Sequence, residues 1–184
     1  MLELNFDPFP ILITDRLVLR LMTDDDANEV FFLRSDGEVM KYINKTPAKS
    51  LDDAFAFIQM INTAIANNES INWAVSLKDD PTLIGNICLW NIQKEHYRAE
   101  IGYTLHPSWQ GKGIMQEAIK AVLDYGFKTL GLHSVEGHIN PENIASAKAL
   151  ERNGFVREAY FKENFYYDGK FYDSAIYALI TPVK

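Results

Sequence analysis

The chain has 184 residues, 47% of them hydrophobic and 23% charged, with a formal net charge of −7. That length suits a single domain over 1–184 with a sizeable core, and the composition excludes a disordered chain. The acidic balance disfavours a nucleic-acid binder or a protein seated on anionic membranes, and it is compatible with a cationic substrate.

The single cysteine, Cys88, excludes an intramolecular disulfide, so a reducing, cytoplasmic setting is expected. Cys88 lies in an apolar strand and reads as a core residue rather than a nucleophile. The N-terminal segment has neither a basic stretch nor a long apolar run, so neither a signal peptide nor a membrane span is read there. No internal repeat, low-complexity tract or linker divides the chain.

The first strand is predicted over Ile13–Leu21, where apolar and polar residues alternate. Thr23 then caps a helix with Asp24, Asp25 and Asp26 in its first turn, where carboxylates are favoured. Ser35-Asp36-Gly37 breaks it, and a short helical piece follows over Val39–Ile43. Ser50 to Asp53 opens a longer helix reaching about Asn67, with Ala54, Phe55, Ile58, Ile61 and Ile65 as its apolar stripe. Asn72–Leu77 and Leu83–Ile92 are strands joined by a turn at Lys78-Asp79-Asp80-Pro81.

Glu95 to Arg98 turns the chain into a central strand, Ala99–Leu105, which His106-Pro107-Ser108 stops. Gln110-Gly111-Lys112-Gly113 leads straight into a helix whose Met115, Ala118, Ile119, Val122 and Leu123 share one face. Crossing over, this helix delivers His133–Ile139 parallel to the central strand. A helix over Asn143–Arg152 ends at Asn153-Gly154, and Phe155–Phe165 with Phe171–Ile180 close the chain as a hairpin around Tyr167-Asp168-Gly169-Lys170.

The glycine-rich turn is the chemically suggestive stretch. A helix start exposes unpaired N–H groups and about half a positive charge, so it favours a phosphate. Gly111 and Gly113 let an anion approach the backbone. Two familiar phosphate loops are excluded. Gly113 is followed by Ile114 rather than Lys-Ser/Thr, and no third glycine completes GxGxxG.

Gln110-Gly111-Lys112-Gly113-Ile114-Met115 resembles the pyrophosphate loop of the GNAT N-acetyltransferases, [Arg/Gln]-x-x-Gly-x-[Gly/Ala], with Met115 departing at the last position. The surrounding Glu-Ile-Gly-Tyr and Gly-Lys-Gly-Ile-Met-x-Glu-Ala resemble the RimJ/RimL-type branch. So do Thr-Asp-Arg-Leu-x-Leu-Arg near the start, Leu83-Ile84-Gly85-Asn86-Ile87, and Asn-x-x-Ser followed by Asn-Gly-Phe. Together these cover about Ile13 to Ile180. The resemblance implies an α/β (α+β) GNAT fold: a mixed, mostly antiparallel sheet, a splayed central parallel pair and flanking helices.

The resemblance also implies a chemistry, transfer of an acetyl group from acetyl-CoA to a primary amine, with no metal. Gln110, Gly111, Lys112, Gly113, Ile114 and Met115 would hold the pyrophosphate. The Tyr103, Thr104 and Leu105 backbone would meet the pantetheine arm and the thioester oxygen, with Asn143 and Ser146 across from it. Ser146 would also support departure of the thiolate. Many family members carry a tyrosine acid where Leu150 stands here, which leaves the acid open. For the base, Glu100 and Glu158 are both candidates, and each reads equally as a surface carboxylate.

His106 stands at the mouth of the proposed site. His133 and His138 fall on opposite faces of a strand and cannot share a metal. Tyr160, Tyr166, Tyr167 and Tyr172 either wall the acceptor channel or pair across the hairpin. The expected acceptor is a protein N-terminal α-amine, as for ribosomal proteins. The alternatives are a small amine (polyamine, amino sugar or amino acid) and, in another class, a non-catalytic acyl-CoA sensor. A monomer and a homodimer are both compatible with the sequence.

Overall fold

A computed structural model describes residues 1–181. The expected first strand is two: β1 (Leu12–Ile13) and β2 (Leu17–Arg20) pair antiparallel, with Thr14, Asp15 and Arg16 as the turn. The Thr14 hydroxyl accepts from the Leu17 amide at 2.9 Å, a local bond that competes with extended backbone. After Thr23 the aspartates form a 3-10 turn, and α1 runs Ala27–Ser35. Asp26 is the capping carboxylate, accepting from the Thr23 amide at 2.9 Å, and it is buried against Arg20 at 2.7 Å.

Asp36 caps α2 (Gly37–Met40), which begins earlier than the predicted piece. Ser50 and Asp53 form a capping box for α3 (Leu51–Ala66). Ala54, Ile58, Ile61 and Ile65 of its stripe are buried, whereas Phe55 is exposed and lies off the core face.

β3 (Ile71–Leu77) and β4 (Asp80–Gln93) meet in a tighter turn than expected, because Leu77 pairs with Asp80. Pro81 therefore falls inside β4, where its carbonyl accepts from Arg20 at 2.7 Å. β5 (Arg98–Leu105) follows, then α4 (Ile114–Lys128), β6 (Ser134–Ile139), α5 (Ile144–Arg152), β7 (Val156–Tyr167) and β8 (Lys170–Ile180). His133 lies just outside β6. The sheet order is β1-β2-β3-β4-β5-β6-β8-β7, antiparallel throughout except for β5 with β6.

Strand alternation sends Trp73, Val75, Ile87, Leu89 and Ile101 to the face covered by α4, whose apolar stripe is buried against them. Ala74 and Leu83 face the other way, toward α1 and α3. The sheet is thus sandwiched between two helical layers.

The parallel pair is short. Arg98, Ala99 and Glu100 match Ser134, Val135 and Glu136, and the pairing stops there. β5 continues along β4 as far as Gly85↔Leu105, while β6 follows β8 to Ile139↔Ala175. The strands therefore part beyond Glu100. Gly102 pairs regularly with Cys88, and the irregularity lies in β4 between Trp90 and Gln93.

Candidate active site

After β5, His106 caps a 3-10 turn, Pro107–Trp109, and the Gln110 side chain donates back to the Leu105 carbonyl at 3.2 Å. Gly111 and Gly113 then take φ of 72° and 75°, a region that costs an L side chain about 1–2 kcal/mol. At Gly111 nothing stands within 4 Å of an added Cβ, so the backbone conformation, not crowding, selects glycine. None of the amides from Gly111 to Gln116 is bonded to another backbone group among the described residues. A row of free donors at the N-terminus of a 15-residue helix is a site for a polyanion.

That helix start is anchored from outside. The Glu117 carboxylate accepts from the Thr14 hydroxyl at 2.5 Å, the Arg16 amide at 2.9 Å and the Arg16 Nε at 2.7 Å. Arg16 also donates to the Lys112 carbonyl at 3.0 Å. Burial would raise the Glu117 carboxyl, but these bonds outweigh it and hold it below the usual range. Glu117 lies off the buried stripe of α4. Its partners come from the β1–β2 turn, about a hundred positions away.

Two cavities flank the parted strands. The first, about 400 Å³, lies on the α4–α5 side. Every residue predicted to bind the cofactor lines it except Lys112, whose ammonium rests over the Trp109 ring at 4.7 Å. Lys41, Lys148 and Arg152 line it as well, and the sequence reading did not single them out. The i, i+4 spacing of Lys148 and Arg152, on the helix that carries Ser146, was the available signal.

The second cavity, about 430 Å³, lies on the α1–α3 side. The two share Tyr42, Ile43, Tyr103, Thr104, Asn143 and Ser146, so they meet where β5 leaves β6. At that junction the Asn143 side chain accepts from the Ser146 amide at 3.1 Å and fixes the first turn of α5. Ser146 is buried and its hydroxyl lies 2.7 Å from the Tyr103 hydroxyl. Burial pushes the Tyr103 phenol up to about 12, with the Ser146 bond acting the other way, so the phenol stays protonated at neutral pH.

Thr104 donates to Asn86, which donates in turn to Asn72 at 3.3 Å, forming a polar track on the second cavity's wall. Cys88 is on the same wall. Burial raises its thiol to about 12, which leaves it unsuited to nucleophilic attack. Glu100 lines this cavity, accepts from the Asn91 side chain at 2.7 Å and lies 4.0 Å from His138. His138 is also 3.2 Å from Glu136, which pairs with Arg98 at 3.0 Å.

Leu150 is fully buried and also faces this cavity. It packs on Gly137, where an added Cβ would come within 2.8 Å of it.

Other singled-out residues lie elsewhere. Glu158 is exposed on β7, beside the register shift between Arg157 and Ala159, and lines neither cavity. His106 stacks on Phe32 at 4.5 Å and accepts from the Ser108 amide. None of Tyr160, Tyr166, Tyr167 and Tyr172 lines either cavity. Tyr160 instead donates to Asp173, and Tyr166 packs on Phe171 across the hairpin at 5.0 Å.

A free-amide loop, a cleft with three cations and a split sheet suit an extended polyanionic ligand. The family profile of the acetyltransferase (GNAT) domain matches residues 16–156. The chain is 35% identical to the uncharacterized N-acetyltransferase YoaA of Bacillus subtilis, over 95% of this chain and 98% of that one. It is 29% identical to the ribosomal protein uS5-alanine N-acetyltransferase of Escherichia coli, over 93% and 91%.

Among solved structures, a GNAT-family acetyltransferase from Bacillus anthracis superposes with a TM-score of 0.82 at 32% identity, over 93% of this chain and 98% of that one. The spermidine N-acetyltransferase of Vibrio cholerae, solved with CoA and spermine, superposes at 0.80 with 28% identity, over 91% and 96%. The chain belongs to the GNAT family of N-acetyltransferases, with relatives in its RimJ/RimL branch.

Proposed function

We propose that this protein, as one catalytic domain, transfers the acetyl group of acetyl-CoA to a protein N-terminal α-amine. One observation carries the reading. Two cavities flank the parted strands and share lining residues where β5 leaves β6, and a hydrogen-bonded pair of hydroxyls lies at that junction. When bound, acetyl-CoA supplies a thioester-activated acyl group.

The chain's own residues supply the rest. The Gly111–Gln116 amides and the Lys148 and Arg152 side chains neutralise phosphates. The β5 edge beyond Glu100, left unpaired by β6, offers backbone groups to an extended, amide-bearing arm, much as a strand would. A backbone N–H within Tyr103–Leu105 would face the thioester oxygen. Ser146, backed by Tyr103, holds a proton for the departing sulfur.

Glu100 lies on the acceptor side and takes up the amine's proton through water. An α-amine with pKa near 8 needs only modest help of that kind. Glu158, exposed on β7, has no part in this scheme. A cytoplasmic setting rests on the unpaired thiol chemistry of Cys88.

A second reading, acetylation of a small polyamine, draws on the likeness to the spermidine enzyme and on Glu100 as a carboxylate facing the acceptor. One assay separates the readings: incubate the protein with acetyl-CoA and a panel of peptides and small amines, and follow free CoA. Acetylation of peptide N-termini is expected. Turnover of spermidine alone would favour the second reading. Tight acetyl-CoA binding with no turnover on any amine would overturn both and leave an acyl-CoA sensor.

A further inference from the structure

Three arginines are half-buried: Arg20, Arg34 and Arg98. Two of them reach a carboxylate, Arg20 with Asp26 at 2.7 Å and Arg98 with Glu136 at 3.0 Å. Arg34 reaches none. Its guanidinium carbon lies 4.0 Å from the centre of the Phe57 ring, and none of its five N–H donors has a hydrogen-bond or ion-pair partner among the described residues. Burial lowers the Arg34 pKa, and the charge of Asp53 acts the other way without forming an ion pair with it. A half-buried guanidinium that gives up hydration with no carboxylate in direct contact recovers only part of that cost.

Arg34 sits in the last turn of α1 and lines the acceptor cavity. Lys45 lines the same cavity, its ammonium 5.8 Å from the Trp90 ring and likewise without an ion pair. The neighbouring wall is apolar, with Met22, Val30 and Leu33. Among the described residues, Glu100 is the one carboxylate lining the cavity, and Asn91 already holds it. A stacked guanidinium keeps its planar donor edge free, and that edge fits a carboxylate.

From this arrangement we infer that the acceptor bears a carboxylate close to its reactive amine, and that Arg34 binds it, with Lys45 in support. This rests on the acetyltransferase reading and narrows it. The carboxylate is either an acidic side chain near the start of a peptide or the α-carboxylate of a free amino acid. A polyamine is excluded, because its distal ammonium would meet Arg34 and Lys45.

The test uses matched acceptors with acetyl-CoA and free-CoA release as the readout. They are a short peptide amide with Asp at its second position and the same peptide with Asn, an amino acid and its amide, and spermidine. The wild-type protein should favour the acidic member of one pair by about 10- to 100-fold in kcat/KM, and which pair shows it identifies the source of the carboxylate. Arg34→Gln, checked by its melting profile, should abolish that preference by raising KM for the acidic acceptor while leaving the neutral one unchanged. Arg34→Lys should restore part of it.

Equal use of both members, faster turnover of spermidine, or an Arg34→Gln loss shared by acidic and neutral acceptors would overturn the inference and leave acetyl transfer standing. Failure on every amine would instead sink the acetyltransferase reading. In that case calorimetric titration of the Asp and Asn peptides decides the Arg34 site by itself: tighter binding of the Asp peptide, lost in Arg34→Gln, supports it, and no difference refutes it.

Discussion

The Tyr103 hydroxyl lies 2.7 Å from the Ser146 hydroxyl, joining the strand on one side of the split sheet to the helix on the other. Leu150 occupies the position where many family members present a phenol, so the pair places a phenol at the junction from a different element. If the two act as a unit, Ser146→Ala should lower kcat by about 10²-fold. Tyr103→Phe should lose about as much, and the double variant little more. Affinity for acetyl-CoA should change little in each. Single-turnover kinetics measures this, and full kcat in Tyr103→Phe would show that the proton comes from solvent.

The same phenol sets a pH limit. Its folded-state pKa of about 12 exceeds the ordinary value near 10, so the folded form holds its proton longer than the unfolded chain does. The stability this contributes is complete below pH 10 and is lost as pH rises toward 12. Urea midpoints measured from pH 8 to 11.5 should fall more steeply for the wild-type protein than for Tyr103→Phe.

Glu100 and Glu158 are equivalent candidates in sequence and differ in space. Glu100 faces the acceptor cavity with Asn91 on one oxygen, and Glu158 stands in solvent on β7. Glu100→Gln should reduce kcat/KM by about 10²-fold and steepen its dependence on pH below 8, where the amine is protonated. Glu158→Gln should leave the profile unchanged; a loss there comparable to that of Glu100→Gln would reverse the assignment.

Lys148 and Arg152 face the cofactor cleft, whereas Lys112 lies over Trp109. Exchanging Lys148 or Arg152 for alanine should weaken acetyl-CoA binding by about tenfold each, the value of one charge-assisted contact. The salt dependence of binding should flatten in parallel. Lys112→Ala should have a smaller effect. Fluorescence titration at two ionic strengths distinguishes these outcomes.

Glu117 ties α4 to the β1–β2 turn through three hydrogen bonds. Glu117→Ala should cost about 1 kcal/mol at pH 7 by removing hydrogen bonds to Thr14 and Arg16 at a partly exposed site, and should weaken acetyl-CoA binding because the loop loses its Arg16 brace. The lowered carboxyl pKa sets the sign with pH. Its contribution is present above the unfolded value near 4.3 and disappears as pH falls through the lower folded value. Wild-type and Glu117→Ala stabilities should therefore converge as the pH falls below the unfolded value.

Sequence by itself determined what local chemistry governs. The apolar stripe of α4 follows from helical spacing, the cap at Ser50 from a side chain that bonds its own helix, and the Gly111/Gly113 loop from glycines that open the backbone at a helix start. Those rules act over three or four residues and read directly from order along the chain. They miss in small ways where a local bond competes, as when the Thr14 hydroxyl splits the first strand in two.

Tertiary structure alone decided what distant residues share. The parting of β5 from β6 depends on β6 following β8. The Tyr103–Ser146 pair spans 43 positions and the Arg16–Glu117 tie spans 101. Glu100 and Glu158 look alike until packing puts one in a cavity and the other in water. That Arg34 makes no ion pair among the described residues has no sequence signature, because it is defined by how far the fold sets the carboxylates, Asp53 included, from its guanidinium.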